Sequence, residues 1–257
     1  MCADWSKKVV FITGASSGIG HSLSVELGRR GATMGLLARR AEMLDTTVEE
    51  VQKAGGNALA LPADVTDASA VQQAADTLRK EFGKIDVLIA NAGIAATTDA
   101  KDLSAKEVAR LININLIGAV NSVTSVLPQM VEKGSGQLVV ISSLAGYRGL
   151  PKSAAYCASK AGVSAFFESL RIDLRGTGVD VSIIHPGFIK TALTAGRQAD
   201  MPFLMELDDA TRKIVRAIET HKKSCAFPWQ LATIVRAGMV FPIVLYDWIA
   251  SRNSFRE

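Results

Sequence analysis

Cysteine is scarce in this chain of 257 residues. The three present, Cys2, Cys157 and Cys225, are odd in number and lack metal-ligand spacing. They exclude a disulfide-stapled scaffold and fit a reducing, cytoplasmic compartment. Histidine is as sparse: His21, His185 and His221 stand far apart, so no metal site is expected. Linkers are missing too. No Ser/Gly-rich, Pro-rich or like-charge stretch divides the chain and no repeat runs through it, which argues one domain over residues 1–257. Charge of one sign does not dominate: the net charge is +4 and no long Lys/Arg run occurs, so nucleic acid is not an expected partner. Met1 to Lys8 lacks a charged-then-apolar leader pattern. The longest uncharged apolar run of the tail, Ala237 to Tyr246, is broken by Pro242 and falls short of the ~20 residues that cross a bilayer.

What is present is a hydrophobic content of 48%, enough for one sizeable α/β core. Apolar runs of strand length alternate with segments of helical period. Lys8–Thr13, Thr33–Ala38, Ala58–Pro62, Val87–Asn91, Gln137–Ser142 and Val179–His185 read as strands. Ile19 to about Arg30, Ala68–Phe82, Ala105–Leu127 and Ser153–Arg175 read as helices. The strands are apolar without alternation, as expected for a parallel sheet buried on both faces. In such sheets ligands bind beyond the carboxyl ends of the strands, where the strand order reverses.

The first strand runs into Thr13-Gly14-Ala15-Ser16-Ser17-Gly18-Ile19-Gly20, a G-x-x-x-G-x-G turn. Glycine lets a pyrophosphate approach the backbone, and the helix that follows offers free amides and a partial positive charge. A plain tight turn is the other reading; the position directly after the first strand favours phosphate. The second strand ends in Arg39-Arg40, with no acid from Ala32 through Ala41 to hold a ribose 2′-hydroxyl. A guanidinium there can grip a 2′-phosphate, which favours NADP over NAD, although two solvated arginines would serve as a plain strand end.

Tyr156 and Lys160, four residues apart, share one face of the helix from Ser153. A nearby ammonium lowers a phenol pKa toward neutrality, as a general acid for a carbonyl oxygen requires. Ser142-Ser143 ends the strand before, where a hydroxyl can reach the same oxygen or cap the next segment. Singly, each of these is as readily an ordinary surface feature.

Taken in order, the residues resemble the short-chain dehydrogenase/reductase family in its short single-domain form. The resemblance covers Lys8 to about Thr191 and rests on the glycine turn, Asn91-Ala92-Gly93, Asn115, Ser143, Tyr156-x-x-x-Lys160, and Pro186-Gly187 followed by Thr191. It implies a Rossmann-type α/β fold: a doubly wound parallel sheet of about seven strands with helices on both faces. It also implies an NADP(H)-dependent oxidoreductase that moves a hydride between nicotinamide and a carbonyl or hydroxyl carbon. Tyr156 would be the general acid/base, Lys160 would lower its pKa and bond the nicotinamide ribose, and Ser143 would polarise the carbonyl. Asn115 would sit at a helix kink and hold a relay water. Gly14, Ser16, Ser17, Gly18, Ile19 and Gly20 would cradle the diphosphate, and Arg39 and Arg40 would face the 2′-phosphate. Asp64 and Val65 would flank adenine, and Asn91, Ala92 and Gly93 would line the cleft. Pro186, Gly187, Ile189 and Thr191 would hold the carboxamide and diphosphate. Two departures stand out: Ser17 occupies a place where some NADP-binding members carry a second basic residue, and Cys157, beside Tyr156, would point away from it.

The segment Ala192–Leu207, with Met201, Phe203 and Met205, is expected to form an apolar lid over a hydrophobic ketone, aldehyde or alcohol; a small helix pair packed in the core is the alternative. The tail 228–257 is apolar beyond the family's short form and is punctuated by Arg236, Arg252 and Arg256. Burial against another subunit, cover for the substrate entrance and contact with a membrane surface all remain open for it. A homodimer or homotetramer through Ala105–Leu127 and Ser153–Arg175 is implied by the resemblance. A catalytically silent dinucleotide-binding regulator of the same fold, or a redox-neutral isomerase or dehydratase, is the competing functional class.

Overall fold

Strand burial follows from the sequence's unalternating apolar runs. The computed structural model describes residues 4–195 and 201–252, apart from the side chain of Arg252. Cys2, positions 196–200 of the expected lid, and Arg256 lie outside the described residues. The elements in chain order are β1 (Val9–Thr13), α1 (Gly18–Arg29), β2 (Thr33–Ala38), α2 (Ala41–Lys53), β3 (Asn57–Pro62), α3 (Ala68–Phe82) and β4 (Val87–Ala90). They continue with α4 (Ala105–Ile112), α5 (Gly118–Lys133), β5 (Gly136–Ile141), α6 (Ala154–Asp173) and β6 (Val179–Pro186). The last are α7 (Leu207–Glu219), β7 (Ser224–Phe227), α8 (Trp229–Val240) and α9 (Ile243–Arg252).

The seven strands form one sheet in the order β3-β2-β1-β4-β5-β6-β7, and each neighbouring pair is parallel. The order reverses between β1 and β4, which opens a crevice at their carboxyl ends. Alternate residues of each strand feed two cores. Val10 and Ile12 of β1 join Leu23, Leu27, Leu44 and Ile214 from α1, α2 and α7 on one face. Val9 and Phe11 join Leu78, Val126 and Phe167 from α3, α5 and α6 on the other. Full burial of one such side chain contributes about 1.5–3 kcal/mol, so the two-sided core fixes the strand ends from which the site is built.

Helix ends follow local chemistry. Asp67 caps α3, its carboxylate accepting from the amides of Ser69 and Ala70 at 3.0 Å each, and Gly83 ends the helix at φ +77°. The helix expected over Ala105–Leu127 is two helices joined by a π-turn, Asn113–Ile117, and α5 continues through Pro128 to Lys133. That whole stretch is long and apolar enough to cross a membrane, yet its residues Val123, Val126 and Met130 are buried against the sheet. Helices α2, α7, α8 and α9 and strand β7 are absent from the sequence reading.

Candidate active site

The floor of the crevice is main chain. Gly14 and Gly18 adopt φ +68° and +56°, a region that side chains with a Cβ rarely enter. A Cβ on Gly14 would lie 2.7 Å from Ala92 Cα, and one on Gly20 would run into the Gly14 carbonyl. The turn is pinned from both neighbours. The Gly14 amide donates to Leu37 O at 2.7 Å, and the Asn91 side-chain amide donates to the carbonyls of Thr13 and Gly14 at 3.0 and 3.2 Å. Thr13 Oγ1 accepts from the amides of Asn91 and Ala92 at 3.2 Å. The result is a cradle that any side chain would fill, ending at the amino terminus of α1, where an anion is favoured.

The end of β2 brings cations beside this cradle. Arg39 is exposed and lies 3.7 Å from the Asp64 carboxylate. Arg40 turns back over the glycine turn and donates to Ser16 Oγ and Ser17 Oγ at 3.3 Å each. Arg40 thereby places a positive charge beside Ser17, where the turn itself carries none. Asp64 is oriented by Thr66, whose amide and hydroxyl donate to it at 2.9 and 2.8 Å. Buried Val65 packs so closely on Gly118 that a Cβ there would be 2.7 Å from Val65 Cγ2.

Across the switch point, the π-turn delivers the buried Asn115. Its carboxamide accepts from the Ile94 amide at 2.8 Å and donates to Ile94 O and Ser159 Oγ at 2.9 Å each. It thereby ties the loop after β4 to α6. Lys160 is buried on α6, donates to Ile141 O at 2.9 Å, and has its Nζ 5.9 Å from the centre of the Tyr156 ring. Burial lowers its pKa to about 8. Ser143, in extended backbone at the end of β5, donates to Pro186 O at 3.4 Å and accepts from the Ala145 amide at 3.1 Å. Its neighbour Ser142 also borders the cleft, but its hydroxyl is taken up by Lys160 O and Ser164 inside the fold.

Every expected site residue except Gly20 and Asn115 lines one cleft of about 530 Å³. Those two act from behind it, Gly20 by close main-chain approach and Asn115 by holding Ile94. Cys157 is buried outside the cleft lining, as expected, and burial raises its thiol pKa.

Leu150 and Phe188 line the cleft and escaped the sequence reading. Leu231 and Val235 of α8 line it too, as the entrance-cover reading of the tail expected, together with Leu193. The inner face of α8 packs Leu231 and Ala232 on Leu144, next to Ser143. The tail therefore walls the far end of the cleft. Of the expected lid, Ala192, Leu193 and Thr194 reach the cleft, whereas Met201, Phe203 and Met205 do not line it. Met205 instead pairs with the main chain near Ile189, donating to Phe188 O and accepting from the Lys190 amide. The described part of this segment is thus not a helix pair.

His185, immediately before Pro186, is the other omission. It is 5% exposed, its ring lies 4.8 Å from that of Tyr147, and it bonds the main chain of Ser143. Its Nδ1 is buried with no hydrogen-bond partner. Burial lowers its pKa to about 4, so the ring is neutral at physiological pH. Its sequence signal was only a position beside Pro186.

A sequence model described as short chain dehydrogenase matches residues 8–202. An uncharacterized oxidoreductase of Myxococcus xanthus is 45% identical over 250 residues, covering 97% of this chain and 99% of the relative. Ketoacyl reductase HetN of Nostoc is 37% identical over 82% of this chain and 75% of its own length. The crystal structure of a metagenomic short-chain oxidoreductase in complex with NADP superposes with a TM-score of 0.75 at 30% identity, covering 88% of this chain and 97% of that one. With the reversal in strand order, the glycine cradle and the Tyr156–Lys160 helix, these likenesses make the chain an oxidoreductase of the short-chain dehydrogenase/reductase family.

Proposed function

We propose that this oxidoreductase transfers a hydride between NADP(H) and the carbonyl or hydroxyl carbon of an apolar substrate, with Tyr156 as general acid and base. One observation carries the reading: the glycine cradle, the Arg39–Arg40 cations and the Ser143, Tyr156 and Lys160 side chains line one continuous cleft. NADPH, when bound, supplies the hydride. The protein's part is placement and the proton.

The amides at the start of α1 bind the diphosphate, with Thr191 facing Gly18 across the same opening. Arg39 pairs with the 2′-phosphate and Arg40 adds positive charge over Ser16 and Ser17. Asp64 and Val65 would hold the adenine, and Pro186, Gly187 and Ile189 the carboxamide, since all five line the same cleft. In reduction, the Tyr156 hydroxyl gives its proton to the carbonyl oxygen, and in oxidation it takes one back. The Lys160 ammonium favours the phenolate. Ser143 donates to the same oxygen, aimed by its contacts with Pro186 and Ala145. Asn115 keeps the loop after β4 and α6 in register; a water held there would serve the proton relay behind Lys160.

Apolar specificity rests on Leu150, Phe188, Leu193, Leu231 and Val235 around the far end of the cleft. A relative named a ketoacyl reductase and a structural neighbour holding NADP support the carbonyl and cofactor assignments. The chain works as one domain, residues 1–257, with 228–257 as an extension whose α8 walls the substrate end through Leu231 and Val235.

The test is a panel of apolar ketones, aldehydes and alcohols followed by nicotinamide absorbance with both cofactors. Turnover of an apolar carbonyl with kcat/KM about tenfold or more higher for NADPH than NADH is expected. Equal use of NADH would overturn the cofactor assignment, and silence across the panel with both cofactors would overturn the substrate class.

A further inference from the structure

We propose that α8 and α9 seat the protein on an anionic lipid surface, with the apolar end of the cleft turned toward the lipid. Nine large apolar residues between Trp229 and Trp248 are exposed, Val240 and Val244 each to 82%. Together they present on the order of 1,000 Å² of apolar surface, against roughly 300–600 Å² for the largest patch on an ordinary monomer. Most of α9 is apolar and exposed around the helix, a pattern that water alone does not support.

The opposite face of this pair is already accounted for. Leu231 and Val235 wall the cleft, Arg148 bonds Gly238 O and stacks 3.7 Å from the Tyr246 ring centre, and the Tyr246 hydroxyl donates to Gly149 O. The outer face, with Val240, Ile243 and Val244, is left exposed.

Three observations favour lipid over a second copy. First, charge: Arg236 on α8, Arg252 at the end of α9 and Arg148, which contacts both helices, outnumber Asp247, the one acid on the two helices. Guanidinium groups at the edge of an apolar face match phosphate headgroups. Second, dimensions: helices of 12 and 10 residues, broken at Pro242, are about 18 and 15 Å long, too short to span but suited to lie in the interface. Trp229 and Trp248 are the side chains enriched at that depth. Third, continuity: the wall residues Leu231 and Val235 belong to the same helix as the exposed Ile234 and Met239, and Leu193 at the cleft is itself half-exposed. A second copy seated there would close that end of the cleft, while lipid would feed it. The docking stands on its own; the supply of substrate from lipid rests on the function proposed above.

The experiment uses the full chain in vesicle flotation, with phosphatidylcholine alone and with equal parts phosphatidylcholine and phosphatidylglycerol. Co-flotation with the anionic vesicles, several-fold above the neutral ones, is expected. A Val240→Glu, Val244→Glu variant should lose at least about tenfold of that binding. It should keep the wild-type melting temperature and its turnover of a short water-soluble ketone, but lose kcat/KM on a long-chain ketone embedded in the vesicles. Absence of vesicle binding by the wild-type protein would overturn the proposal. So would a dimer in solution that the double variant dissociates while flotation stays unchanged. Vesicle binding without turnover of any ketone would support docking and refute the hydride-transfer reading instead.

Discussion

At the dinucleotide end of the cleft the walls are main chain. Gly14, Gly20, Asn91 and Ala92 meet at distances that leave no room for a methyl group. At the substrate end the walls are side chains: Leu150, Phe188, Leu231 and Val235, carried by loops and by a helix on the outside of the sheet. The first arrangement fixes a ligand that never varies. The second sets selectivity by repacking, because one apolar side chain can replace another of similar volume at little cost. The same division separates the core helices, whose inner faces are fully buried, from α8 and α9, which leave large apolar side chains in the open.

The largest effect expected lies between the two ends. Tyr156→Phe removes the proton donor and leaves the helix intact, so turnover should fall by about 10³-fold, while fluorescence titration shows unchanged NADPH affinity. Normal turnover would remove Tyr156 from the mechanism. Next comes Gly20→Ala, which drives a Cβ into the Gly14 carbonyl and to within 2.5 Å of the Asn91 side-chain amide. It should cost about 3 kcal/mol or more in urea denaturation, or abolish NADPH binding if the turn shifts to make room. A tolerated alanine would show that the cradle is looser than its contacts imply.

Legibility from sequence divides along the same line. The cradle could be read because its glycines follow a strand directly, and Tyr156 with Lys160 because their relation is local to one helix. Helix α2 was missed because it buries only Leu44, Thr47 and Val51 on an otherwise polar surface, a sparse periodic signal. Strand β7 has four residues at the sheet edge, too few to show a pattern. Arg40 is expected to face a 2′-phosphate, but its return to Ser16 and Ser17 could not be read, since it depends on how α2 leaves β2. The tail announced its apolarity but not its place: only the contact of Leu231 with Leu144 makes it a wall of the cleft. Such long-range packing leaves no spacing in the chain to be read.

A smaller effect tests the charge at the dinucleotide end. Arg39→Asp should reverse the cofactor ratio, lowering kcat/KM for NADPH by about 10²-fold by loss of a charge-assisted pair and by repulsion from the added carboxylate. NADH should be used as well as before or better. Because Arg40 already reaches Ser17, a residual preference for NADPH in this variant would assign part of the 2′-phosphate recognition to Arg40. An unchanged ratio would remove Arg39 from it.

The effect expected to be smallest at neutral pH belongs to His185, beneath the substrate end. Its folded pKa, about 4, lies below the ordinary value of 6.5 because burial disfavours the imidazolium. Above pH 6.5 both folded and unfolded chains hold it neutral, and it adds no pH dependence. Between 6.5 and 4 the unfolded chain takes up the proton first, so stability falls as pH drops, and below about 4 the loss levels off. From pH 7.5 to pH 5 this one group should remove about 2 kcal/mol. His185→Gln keeps a donor for the Ser143 main chain and cannot titrate, so its urea midpoint should fall less over that interval than the wild-type midpoint does. Equal falls in the two proteins would mean that His185 accepts its proton inside the fold. In that case water would reach the otherwise unpartnered Nδ1, and the substrate end would be less closed than its apolar lining implies.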